Sequence, residues 1–242
     1  MTRRRRVVLV AVVIAAVALA GLAASRLGTA GSESSPYRLP WQAGQVHTVV
    51  QGAVVTDPIN GTCTSGCITH NEQGMRYSWD FDLAEGTEVL AARGGTVAFM
   101  NGNWSPDHCG GLVPVADPPP GYLVSPAIGN QANFVLIDHG DGTSALYLHL
   151  SQVSPAIEAK AKAKGPVVQG EVLGLSGKTG FTQCRPHLHF QVQNSAAADW
   201  ATASVPISFA DDDVVARAPG GIPVEGEAYL SANGPAATGD QS

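Results

Sequence analysis

Between His47 and Val192 strand-length runs follow one another at short intervals, and turn residues stand in the gaps. The runs are His47–Val54, Tyr77–Leu83, Glu88–Ala91, Thr96–Met100, Asn133–His139, Ser144–Leu150, Val167–Leu175 and His187–Val192. Glu85-Gly86, Gly94-Gly95, Gly140-Asp-Gly142, Gly165-Pro166 and Gly177-Lys-Thr-Gly180 punctuate them. Such punctuation interrupts helices and reverses strands. Asp141-Gly142, set between two apolar runs, is a strong hairpin signal. The rhythm predicts an all-β fold with a mostly antiparallel sheet, arranged as an open, barrel-like sandwich. With 28 Gly, 16 Pro and only 14% charged residues, short strands are favoured over long surface helices. Helical signal is confined to Pro155–Lys164, which reads either as a short helix or as an exposed strand with lysines on one face. Asn101–Asn130 breaks the rhythm and contains Pro118-Pro-Pro120. A loop of that length in a compact domain is usually functional or mobile.

The chain ends read differently. Four arginines precede Val7–Ala24, which has no charged residue. Eighteen residues as a helix span about 27 Å at ~1.5 Å each, close to the thickness of a bilayer core. The arginines keep their end in the cytoplasm, so the remainder is expected outside the membrane. Residues 1–30 therefore read as a cleaved signal peptide or an uncleaved signal-anchor helix. Residues 31–44 read as a linker, 45–230 as the folded domain and 231–242 as a disordered tail.

The first 26 residues hold five Arg and no acid, leaving nine basic and twenty acidic residues, a formal charge of −11. Charge gives such a domain no attraction to nucleic acid or to anionic membranes, and any membrane contact is expected through the N-terminal segment alone. Asp211-Asp212-Asp213 reads as a solvated turn. Four cysteines in an exported chain suggest two disulfides with three possible connectivities. Cys63 and Cys67 are near enough for a local closure, which would leave Cys109 to pair with Cys184. A four-thiolate metal site is the rival arrangement, but the spacing lacks paired C-x-x-C arms.

The chemistry concentrates around Pro186-His187-Leu188-His189-Phe190. Two histidines two apart on a strand face the same way, so one can bind a metal while the other stands beside the open coordination position. His70, Asp80 and Leu146-Tyr-Leu-His149-Leu150 lie upstream. Together they supply an N,N,O ligand set and two spare imidazoles, the donors of a zinc hydrolase. Asp82, on the same nominal strand face as Asp80, and His47, further upstream, compete as ligands. Tyr147 shares a nominal face with His149 and either reaches the site or packs. Asn133 is a candidate for hydrogen bonding near a substrate groove. His139 reads as a strand-end residue, and His108, Gln183 and Arg185 as exposed loop residues.

His70 and Arg76-Tyr-Ser-Trp-Asp80 through Thr96-Val97, then Asn133-Phe-Val-Leu-Ile-Asp-His-Gly-Asp-Gly-Thr143, Tyr147-Leu-His-Leu150, Gly174-Leu-Ser-Gly-Lys-Thr-Gly180 and Pro186-His-Leu-His-Phe190 occur in order. In this the chain resembles the lysostaphin/LytM-type zinc metallopeptidases over roughly residues 45 to 215. The resemblance implies that His70, Asp80 and His189 bind one Zn²⁺, with the site in a groove on one sheet face. It implies catalytic roles for His149 and His187 beside the metal's fourth position. It also implies an exported, monomeric endopeptidase of the cell envelope whose substrate is the peptide part of peptidoglycan. The competing expectation is a latent or inert peptidoglycan-binding regulator of other wall hydrolases. A zinc dipeptidase of another fold would carry a Glu-x-x-His motif, and this chain has none.

Overall fold

In the computed structural model, residues 35–53, 70, 74–110, 131–196 and 203–234 are described. The N-terminal apolar segment, Cys63 and Cys67, most of the Asn101–Asn130 loop and residues 235–242 lie outside them. The described strands are β1 (Val46–Gln51), β2 (Ser78–Phe81), β3 (Glu88–Leu90), β4 (Gly95–Asn101), β5 (Cys109–Gly110), β6 (Asn133–Asp138), β7 (Ser144–Val153), β8 (Pro166–Val167), β9 (Val172–Ser176), β10 (Gly180–Phe181), β11 (Leu188–Gln193) and β12 (Ala228–Leu230). Ten of them form one sheet in the order β12-β1-β2-β11-β7-β6-β4-β8, with β9 branching from β7 and carrying β3. Every pairing within it is antiparallel. The sheet does not close into a barrel. β5 and β10 make a separate parallel pair.

Alternation decides what each face of the central strands does. Trp79 and Phe81 of β2, Ala145 and Tyr147 of β7, and Leu188, Phe190 and Val192 of β11 enter the main core, where Leu39, Trp41 and Phe209 join them. Asp80, Leu146, Leu148, His189, Gln191 and Gln193 occupy the opposite face. That face is also buried along β11, and Leu146 and Leu148 pack there with Ala132 and Leu136. A strand covered on both sides holds its register firmly, because a one-residue slip would exchange the two sets.

Pro155–Lys164 resolves as a helix rather than a strand, α1 (Pro155–Ala163). The Ser154 side chain accepts from the Ile157 amide, Pro155 opens the first turn and Lys164 closes it in the left-handed region. Val167–Leu175 is not one strand, since residues 168–171 turn between β8 and β9.

The domain edges extend beyond the expected limits. Tyr37, Leu39 and Trp41, placed in a linker by sequence, are core residues. Ser231 and Asn233, placed in a tail, are buried, and the Asn233 amide donates to the carbonyls of Leu39 and Ala91. The acidic run is a correction too. Asp211 is fully buried and precedes a second helix, α2 (Asp212–Arg217). Its carboxylate accepts from the amides of Leu39 and Ala232 at 2.8 and 2.7 Å. A buried carboxylate persists where such donors replace its water.

Candidate metal centre

Register brings the first two groups together. β11 lies beside β2 with His189 opposite Asp80, and His189 Nδ1 sits 2.9 Å from Asp80 Oδ1. His70 enters from outside the sheet, with Nε2 3.3 Å from the same oxygen. The nitrogen, oxygen and nitrogen donors of His70, Asp80 and His189 all lie within 4.8 Å of one another, and all three residues are buried. His70 Nε2 makes no hydrogen bond despite its burial. An orphaned buried nitrogen facing a shared carboxylate fits a cation, and two imidazoles with one carboxylate are ligands zinc accepts with a position left open.

The two remaining imidazoles flank this set. The His187 ring lies 4.8 Å from that of His149, and its Nε2 is 3.9 Å from Asp80 Oδ2. The His149 ring is 6.1 Å from that of His189. His187 shares the face of His189, as a spacing of two requires. His149 gets there by a different route. The register between β6 and β7 jumps from Asn133–Leu150 to Phe134–Leu148, leaving His149 as an extra residue with φ of 71°. Plain alternation would send it into the core beside Tyr147. The bulge turns it toward the site instead. A non-glycine residue held in the left-handed region costs of order 1–3 kcal/mol and is found where surrounding structure imposes it.

Each imidazole has one nitrogen committed elsewhere. His149 Nδ1 donates to the Thr179 carbonyl at 2.7 Å and His187 Nδ1 to the Arg185 carbonyl at 2.9 Å. His189 Nε2 lies 3.3 Å from Gln191 Oε1, and His70 Nδ1 lies 3.4 Å from the Gly52 carbonyl. A carbonyl oxygen can only accept, so the hydrogen sits on that nitrogen and the other keeps its lone pair for the site. Burial opposes the charge of Asp80, but the neighbouring imidazoles of His70, His187 and His189 hold its carboxyl well below the usual range. Burial, then His187 and His189, push the His149 imidazole well below its ordinary value. The centre thus pairs a charged carboxylate with a neutral His149.

The competing residues fall elsewhere. Asp82 is exposed, and its carbonyl accepts from Nδ1 of the half-buried His47. Tyr147 packs in the core, its hydroxyl accepting from the Ala92 amide at 2.8 Å. His139 donates to the Gly94 carbonyl at a strand end. His108 is half-buried rather than at the surface, stacked on Trp104 with centroids 4.4 Å apart. Asn133 is buried and clasps Trp104, accepting from its amide and donating to its carbonyl. Sequence reasoning missed Gln191 and Thr179. Gln191 was legible, being two residues beyond His189 on the same face. Thr179 acts through its backbone carbonyl, which no side-chain motif announces.

A family model described as Peptidase family M23 matches residues 74–200, a span that holds Asp80, His149, His187 and His189 but begins after His70. The DD-carboxypeptidase/endopeptidase Mpg of Neisseria meningitidis serogroup B and that of Neisseria gonorrhoeae are each 40% identical over 149 residues, covering 59% of this chain and 27% of theirs. The chain therefore spans about a quarter of the length of these curated relatives. Among solved structures, the catalytic domain of the prophage-encoded M23 protein EnpA from Enterococcus faecalis aligns at a TM-score of 0.41 and 15% identity, over 69% of this chain and 94% of that one. The catalytic domain of lysostaphin from Staphylococcus simulans aligns at 0.34 and 23% identity, over 68% of this chain and 87% of that one.

Proposed function

The chain belongs to peptidase family M23, and on that premise we propose that it is an exported zinc metalloendopeptidase that hydrolyses peptide bonds in peptidoglycan. The observation that carries the reading is the convergence of His70, Asp80 and His189 with His149 and His187 beside them. Zinc held by this donor set supplies a Lewis acid for the scissile carbonyl and makes water a nucleophile near neutral pH.

The chain's own residues divide the remaining work. Asp80 contributes the negative charge that a dication requires, and the imidazoles around it keep it ionised despite burial. Neutral His149 has a free nitrogen with which to take a proton from attacking water. His187, more open to solvent than His149, is placed to donate to the developing oxyanion or to the leaving amine. Their backbone anchors fix both tautomers before substrate arrives. The peptidoglycan assignment draws on the relative named a DD-carboxypeptidase/endopeptidase and on the N-terminal residues that read as an export signal.

The test is incubation of the zinc-loaded, disulfide-bonded protein with purified peptidoglycan, followed by mass spectrometry of the released fragments. New amino termini within cross-links, lost in His187→Ala and with chelator, are the expected result. Release of single terminal D-alanine residues would assign a carboxypeptidase instead. Bound zinc without any cleavage would favour the regulator.

A further inference from the structure

His149 and His187 take their orientation from one short segment, because the carbonyls of Thr179 and Arg185 both lie in residues 178–187. Its two ends are held differently: Thr179 is buried, its hydroxyl accepting from the Asn133 amide and donating to the Leu150 carbonyl, whereas residues 183–185 lie at the surface. Gln183 and Cys184 stand consecutively in the left-handed region with φ of 53° and 57°. Two adjacent non-glycine residues in that region need outside restraint.

The restraint comes from residues 107–110. Cys109 is disulfide-bonded to Cys184. Around the bridge, the Gly180 amide donates to the His108 carbonyl, and the amides of Thr182 and Gln183 donate to the Gly110 carbonyl. Lys178 reaches Asp107 at 3.3 Å, but Asp107 is largely exposed and the pair is worth little. The β5–β10 ladder is two residues long, too short to stand alone. The covalent link is thus the strongest tie on the exposed part of the segment, whose Arg185 carbonyl aims His187. The metal ligands have separate supports: Asp80 and His189 sit in central strands, and His70 leans on Gly52.

We propose that the Cys109–Cys184 disulfide is a positioning element for His187, required for turnover and dispensable for metal binding. The proposal deepens the peptidase reading above and rests on it for its kinetic half. Opening the bridge frees residues 183–185, and the His187 ring loses the carbonyl that fixes its tautomer and direction, while buried Thr179 keeps its hold on His149.

The experiment uses the full chain with Cys63→Ser and Cys67→Ser, so that a phosphine reductant meets a single bridge after folding is complete. Zinc per chain is read by native mass spectrometry, and kcat and KM on a cross-linked muropeptide are measured oxidised, reduced and reoxidised. Reduction is expected to leave zinc and KM within about threefold and to lower kcat roughly 10- to 100-fold, in the range that misplaced proton-transfer groups produce. Reoxidation should restore it. Histidine-selective nitrogen-15 NMR adds a readout independent of activity: the signals of His187 should move from a fixed Nδ1–H form to an averaged one, while those of His70, His149 and His189 stay. The double variant Cys109→Ser/Cys184→Ser should match the reduced protein. Unchanged kcat with unchanged spectra, or a fall in kcat that tracks loss of zinc, overturns the proposal. If the oxidised parent hydrolyses nothing, the peptidase reading fails, and the NMR comparison still decides whether the bridge aims the His187 ring.

Discussion

Four imidazoles and one carboxylate share the centre, but they do not share a task, and substitution should separate them. Asp80→Ala or His189→Ala removes a buried donor from the N,N,O set, and the expected result is a protein without stoichiometric zinc by elemental analysis. His149→Ala or His187→Ala leaves that set intact. Zinc should stay bound while hydrolysis falls by about 10²–10⁴, the range for loss of a general acid or base. A His149→Ala protein that lost its metal would place His149 among the ligands instead. Gln191 gives a subtler case. Its side-chain oxygen faces His189 Nε2, and its amide donates to Gln193 Oε1 at 2.8 Å. Gln191→Leu keeps volume but leaves the ligand's outer nitrogen unpaired. Zinc affinity should drop roughly 10- to 100-fold, as other losses of such partners do, measured by competition with a chelator.

At the scale of elements, the active face depends on close approaches that leave no room for a side chain. Gly177 accepts from the His187 amide through its carbonyl, and a Cβ added there would stand 2.4 Å from the backbone nitrogen of Ser151. β7 and the segment before β11 would have to part. Gly177→Ala should therefore destabilise the fold by about 1–3 kcal/mol, the usual cost of overpacking, and reduce kcat as His187 moves with its partner strand. Asp211 makes the corresponding point for the C-terminal elements. Asp211→Ala orphans two buried amides and should cost at least about 2 kcal/mol in urea unfolding. Burial pushes this carboxyl above its ordinary value against the pull of the Ala232 and Leu39 amides and Arg38. The native state then holds the proton more firmly than the unfolded chain does, so stability declines as pH rises through the interval between the two values. Asp211→Asn should flatten that slope without altering zinc content.

Over the whole molecule, metal and fold are linked. A buried carboxylate, two buried imidazoles and an unsatisfied nitrogen form a cluster that exists only in the folded chain. Zinc at a hundredfold excess over Kd should add about 2.7 kcal/mol, or roughly 5–10 °C in Tm for a domain of this size. Calorimetry with and without chelator checks this, and equal melting temperatures would mean the cluster binds no ion under those conditions.

The sequence alone determined what local pattern can carry. Period-two alternation placed Leu188, Phe190 and Val192 on one face and His187 and His189 on the other, because side-chain direction along a strand needs no knowledge of its neighbours. Over Pro155–Lys164 the local pattern left a short helix and an exposed strand both open, and the capped helix is what the folded chain adopts. Resemblance to a known family, through motifs far apart in the chain, named the five site residues together. Tertiary structure alone decided that His189 meets Asp80 across 109 residues, that Tyr147 packs while His149 turns outward at a bulge, and that Leu39, Trp41, Asp211 and Asn233 belong to the core. Strand register, bulges and buried polar contacts are settled by which partner lies alongside. That is a property of pairings between distant segments, and no window of neighbouring residues contains it.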